Sequence, residues 1–328
     1  MQRSNLAEIQ DDTTEVASTV HPTFRTVEAL YPIDFSPRLI TLLQRLQRRG
    51  QEPLFPTSWQ LDFPNLPSLL FMHTSSDQSY APIRAVSTKS SSEFRGKLAM
   101  ERLLQLGREV RETETGPAGP TGKVRPSRGA EGRIVEGIRR FIFWAAQDAM
   151  VTTDSLQSFV TVSALGGGRR GRKGYDEDVS ARLTAKTTSK LTRLAASHRE
   201  AAHRMERCSR TLWKSAPDHD TKMAEYERAL STTLYGFAVS GARCVIVGLT
   251  VSSASNPIRT LLVMDLNDAA QDLWSVLAIV LTVCAAREER LDTAGAAAAA
   301  GVVRADRQLD NQFSCMKMDV DVDVDQDL

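Results

Sequence analysis

From Leu273 to Ala286, between Asp272 and Arg287, the chain runs for 14 residues without a charge. A helix needs about 20 apolar residues to span a bilayer, so a run of this length is expected as a helix buried inside a protein. No membrane association is expected. The rest of the chain must then supply the surfaces that cover this helix. Asp268 and Gln271, at capping-box spacing, place its start near Asn267 or Asp268, and its end falls near Arg290.

Three apolar, β-branched runs precede it: Ala238-Val239, Cys244 to Val247 and Leu261 to Met264. Ser240-Gly241 and residues 252–257 break them, the pattern of two or three antiparallel strands. Phe159 to Val162 adds a further strand signal.

Helical periodicity accounts for most of the remainder. Ser36-Pro37 is a hydroxyl cap followed by proline at the first helical position, and Leu39, Leu42, Leu43 and Leu46 form a stripe that stops at Gly50. Residues 53–72 interleave prolines with Phe55, Trp59, Phe63 and Phe71, which suits an extended arm on a core rather than a helix. A serine-rich stretch to residue 92 reads as a linker.

Over 93–111, Phe94, Leu98, Leu103, Leu104, Leu106 and Val110 return at near-helical spacing, against the opposing signal of Gly96 and Gly107. Ile134, Ile138, Phe141, Ile142 and Ala145, broadened by Phe143 and Trp144, mark a deeply buried helix over 133–150. A long helix is expected from Val179 to Leu212, and another from Asp220 through Leu234.

The fold class that follows is α+β: a helix-rich single domain with a small antiparallel sheet, flanked by disordered tails. The core domain is placed at 93–291, after a segment at 31–92 that carries the amphipathic helix, the aromatic arm and the linker. The tails are 1–30 and 292–328. The second tail is acidic, with Asp and Val alternating from Asp319 to Asp325 and no basic residue from there to Leu328. A like-charge block of this kind is expected to be solvated.

The four cysteines form no Cys-x-x-Cys pair, and the N-terminus lacks the apolar stretch of a signal peptide. Reduced thiols and a nuclear or cytoplasmic location are expected. The net charge of +1 gives the whole molecule no general affinity for polyanions.

Catalytic motifs fail on inspection. Gly122-Lys123 lacks the phosphate-loop glycine, replaced by Pro117, and the hydroxyl residue, replaced by Val124. His198 and His203 lie five apart, about 140° round a helix, where a zinc-binding pair needs four. Glu200 and His203 have the spacing of a di-iron motif but no second copy. His219 and Asp220 are a couple only by adjacency and suit the turn before a helix. An antiparallel hairpin between helices resembles degenerate nuclease folds, yet residues 237–250 hold no carboxylate and only Asp265 ends the following strand. No cofactor is expected, and an enzyme is the lesser expectation.

The strongest remaining signal is basic. Residues 166–215 hold 13 Lys and Arg against 5 acids, enough for several phosphate contacts. Within them Arg169, Arg170, Arg172 and Lys173 sit on a glycine-rich loop that suits a nuclear-import signal, a phosphate clamp or a plain solvated loop. Two readings stay open. One is a non-catalytic regulatory or interaction protein with a protein partner, acting in the nucleus. The other is a nucleic-acid-associated protein of an inactive, nuclease-like fold.

Overall fold

Ser36 opens the first helix of the computed structural model, its hydroxyl accepting from the Leu39 amide at 3.1 Å while Pro37 takes the first helical position. The structure describes residues 35–73, 80–115, 129–164, 185–201 with 203, 232–251 and 258–299, all within one compact unit. Helix α1 (Pro37–Arg48) buries Leu39, Leu42 and Leu46 and ends on Arg49 and Gly50 at φ 49° and 74°. A side chain at Gly50 would also meet Leu70 at 3.0 Å, so glycine serves both the left-handed turn and the close approach.

The prolines of the following arm allow only short 3-10 turns, at Thr57–Trp59 and Ser68–Leu70. Around the turns Phe55, Trp59, Phe63 and Phe71 gather with ring centroids 5.6–6.5 Å apart, all four buried. Aromatic area thus replaces helical packing here.

Where one helix is expected over 93–111, two form: α2 (Ser90–Leu104) and α3 (Leu106–Thr115), broken at Gln105. The two glycines that argue against a helix are contact points within it. A Cβ at Gly96 would stand 2.6 Å from the Trp144 ring, and one at Gly107 would overlap the Asp272 carboxylate. With Gly96, Met100 and Leu103 facing inward, Phe94 and Leu98 turn out to solvent, 67% and 37% exposed, although they share the near-helical spacing of the apolar positions.

Helix α4 (Ala130–Asp148) buries Ile134, Ile138, Phe141, Ile142, Trp144 and Ala145, and the short α5 (Thr153–Gln157) follows, capped by Thr152. Phe143, expected to broaden the buried face, is 51% exposed instead. Residues 185–201 form α6, within the region expected to be one long helix.

The sheet has the order β1-β2-β3-β4, from β1 (Val160–Ala164), β2 (Thr233–Ser240), β3 (Arg243–Thr250) and β4 (Ile258–Asp265). The β2-β3 and β3-β4 pairs are antiparallel, but β1 lies parallel to β2, so the sheet is mixed rather than wholly antiparallel. A parallel neighbour needs a crossover connection, and residues 165–232 are long enough to provide one. Leu234, expected at the end of a helix, is a buried residue of β2. Strand β2 is covered on both faces: Gly236 packs under Thr187 and Leu191 of α6, and the opposite face meets the last helix.

That last helix, α7 (Asp272–Ala299), is preceded by a 3-10 turn on which the Asp268 carboxylate accepts from the Ala270 amide at 3.0 Å and from Gln271 Nε2 at 2.8 Å. It runs past Arg290, so residues up to Ala299, expected in part as tail, are helical. By length and composition the stretch Ala269–Gly295 would suffice to cross a membrane. Here α1, α2, α4, α5 and β2 pack round it, and every residue from Ser275 to Cys284 is buried.

Leu277, 2% exposed, should report this burial. Leu277→Ala is expected to lower unfolding free energy by about 2–5 kcal/mol, read as a shift in urea midpoint at unchanged slope. An unaltered midpoint would contradict the placement of α7.

Candidate functional site

Most of the unusual polar chemistry is sealed inside. Asp148 and Arg287 pair at 2.8 Å with both side chains wholly buried. The Asp148 carboxylate also accepts from the Val86 amide at 2.7 Å, the Ser87 amide at 3.1 Å and the Ser92 hydroxyl at 2.6 Å. Four donors saturate it and leave nothing for a substrate. Arg290 Nε donates to the Ser155 hydroxyl at 2.6 Å.

His198 Nε2 donates to the Ser158 carbonyl at 3.0 Å, and the ring stands edge-on to Phe159. Burial, aided by Arg290, pushes its imidazole down to about 4, which keeps it neutral at ordinary pH. Burial holds the Cys244 and Cys284 thiols up, at about 12 and 11, so neither is a ready nucleophile.

Behind β2, Glu289 is 5% exposed, and burial pushes its carboxyl up to about 7 against the opposing pull of Arg38 and Thr233. Burial, and then Glu289, raises the Tyr235 phenol well above its ordinary value.

Among the described residues, those singled out in the sequence do not converge. Arg169, Arg170, Arg172 and Lys173 lie outside the described residues, as do His219 and Asp220. On α6, His198 turns inward while Glu200 and His203 are exposed. Asp265 ends β4 and accepts from the Asn267 amide at 3.0 Å, a turn contact. Among the described residues no three or more His, Cys, Asp or Glu side chains are grouped to hold a metal ion.

What the fold does assemble is a groove of about 1060 Å³ on its surface, with α2 and α3 as one wall and α4 as the other. The walls run antiparallel. Arg95 donates to Gln147 at 3.3 Å at one end, and Arg133 meets Glu109 at 3.4 Å at the other. The 14-residue span from Arg133 to Gln147, within the unbroken α4, makes it about 21 Å long at the helical rise of 1.5 Å per residue. Leu98 and Phe143 lie exposed within it, and Phe94 stands one turn before Leu98.

Five arginines line the groove against two glutamates. Arg140 is paired with Glu136 at 2.7 Å, whereas Arg102 and Arg139 at mid-length make no ion pair among the described residues. Arg139 also adjoins α6, where burial and the charges of Lys186, Arg139 and Arg193 hold the Lys190 ammonium pKa down. The groove rim and α6 therefore share one positive field.

Sequence periodicity missed this site because Phe94, Leu98 and Phe143 keep the helical spacing of apolar residues whether or not the face is buried. The available signal was Arg95, Arg102, Arg139 and Arg140, charges interleaved at helical spacing with those same apolar residues. Comparison with known protein families, with curated proteins and with solved structures finds no match for the chain.

The raised carboxyl of Glu289 has a definite pH signature. Folded chains hold its proton up to about pH 7, while unfolded chains release it near 4.5. Its contribution to stability is therefore present below 4.5 and is lost as pH rises to 7, by up to about 3 kcal/mol. His198, lowered from 6.5 to about 4, acts with the opposite sign over an overlapping window. Subtracting the wild-type melting curve from that of Glu289→Gln isolates the first effect, and the difference should favour the variant increasingly from pH 5 to pH 8. A difference independent of pH would show that Glu289 is not held protonated.

Proposed function

We propose that this is a non-catalytic interaction protein that captures an acidic, apolar segment of a protein partner in the groove between α2 and α4. The observation that carries the reading is the pairing of exposed Leu98 and Phe143 with Arg102 and Arg139, two cations without a counter-charge among the described residues. Clustered exposed apolar side chains rimmed by charge mark interaction surfaces, and aromatic and arginine residues dominate binding energy at them. The groups with shifted pKa values that a catalyst would use are instead enclosed by the core. Action in the nucleus is part of the proposal, with Arg169, Arg170, Arg172 and Lys173 as the import signal.

A second reading, association with nucleic acid, is favoured by one observation: Arg139 brings Lys186, Lys190 and Arg193 of α6 into the same field as the groove. Phosphate would be drawn to such a surface, with a strong dependence on salt.

Selection of 12-residue peptides by display on the full chain distinguishes the two. The expected consensus combines aspartate or glutamate with aliphatic residues, and affinity should drop about tenfold or more on Phe143→Ala and on the double change Arg102→Glu, Arg139→Glu. Peptides that lack acidic residues, or that bind the double variant equally well, would defeat the groove reading. Binding of a 20-base-pair duplex that weakens with a log-log salt slope of about −0.9 per phosphate contact would favour the second reading.

A further inference from the structure

The groove's requirements match one segment of the chain itself. From Asp319 to Asp325 aspartate and valine alternate, and Asp327 follows. In an extended chain successive side chains point to opposite faces, so Val320, Val322 and Val324 would form one apolar edge and the aspartates an acidic one. At about 3.3 Å per residue these seven residues extend about 23 Å, against about 21 Å for the groove. Among the residues lining the groove, Leu98 and Phe143 offer apolar surface to the valines, and Arg102 and Arg139 offer positive charge to the aspartates. Length, polarity pattern and charge sign agree.

Reach is also sufficient. Helix α7 ends at Ala299, leaving a 20-residue step to Asp319, which can span up to about 70 Å. A domain of about 200 residues has a radius of gyration near 16 Å, so every point of its surface lies within that distance.

We infer that the acidic segment Asp319–Asp325 occupies the α2–α4 groove of its own chain and competes with the partner segment for it. The inference rests on the proposed role of the groove and adds its regulation. A tethered competitor acts at an effective concentration of about a millimolar, so even a weak intrinsic affinity competes with a partner for the groove. A partner gains access by binding more tightly, or when the aspartates are masked by a basic surface.

The test uses full-length protein throughout. A fluorescent peptide with the sequence of Lys317–Leu328 is titrated into wild type and into a chain with Asp319, Asp321, Asp323, Asp325 and Asp327 all changed to Asn. The five-Asn chain should bind the peptide, wild type should bind at least tenfold more weakly, and adding Arg102→Glu and Arg139→Glu to the five-Asn chain should abolish binding. Equal affinity in wild type and the five-Asn chain would overturn the inference while leaving the groove reading intact. So would absence of peptide binding to the five-Asn chain when display-selected acidic peptides still bind. Binding unaffected by the arginine reversals would place the tail elsewhere. Repeating the wild-type titration at tenfold lower protein concentration separates the chain's own tail from a neighbour's. A block that fades on dilution would overturn the intramolecular form.

Discussion

The pairing of Asp148 with Arg287 holds the architecture together. Removing two charges from water costs several kcal/mol each, and the cost is offset only where geometry and further hydrogen bonds are nearly complete. Here the carboxylate takes four donors, and the guanidinium also donates to the Arg84 carbonyl at 2.9 Å and lies 5.6 Å from the centre of the Trp144 ring. Only Arg287 Nε lacks an acceptor. The pair ties the end of α4, residues 84–92 and the middle of α7 to one point. Losing either partner would strand a buried charge, at about 3–5 kcal/mol.

The same pair sets the shape of the groove. Trp144, packed beside Arg287, donates its indole N–H to the Ser92 carbonyl at 3.0 Å and lies against Gly96. This contact fixes both the distance between α2 and α4 and the rotation of α2. That rotation turns Arg95, Leu98 and Arg102 outward beside Phe143. At the far end Arg111 clasps Asp272 with two bonds of 2.7 and 2.6 Å, over the space that Gly107 leaves open. A buried charge pair and two glycines thus position an exposed cationic surface.

What was legible in the sequence was what local chemistry decides. The Ser36 cap, the leucine stripe of α1, the apolar stretch of α7 and the strands broken at Ser240-Gly241 follow from capping, periodicity and turn preference, and the α+β class follows from them. What was not legible depended on neighbours. Phe94, Leu98 and Phe143 keep helical spacing whether they face a core or solvent, and only the close approach at Gly96 decides which. Gly96 and Gly107 read locally as weak helix formers because their value lies in a distant Trp144 and Asp272. The parallel pairing of β1 was hidden for a similar reason, since a five-residue strand carries no mark of its partner's direction. The groove, made from two faces far apart in sequence, was out of reach of any single periodicity.

The mixed sheet carries a consequence for the order in which the chain folds. Strands β2 and β3 are joined by Gly241-Ala242 alone, with Gly241 at φ 57°, so their pairing closes almost no loop. Strand β1 must be captured across 68 intervening residues, and loop-closure entropy rises with the logarithm of that length. Non-local pairing of this kind is slow compared with a hairpin. We therefore expect the β2-β3-β4 meander to gain protection first in pulsed hydrogen exchange and the Val160–Ala164 amides to follow, with simultaneous protection the result that would contradict this order. Until β1 arrives, the β2 edge stands open beside an unfinished core. That interval is when the nascent protein is most exposed to pairing with a strand of another chain.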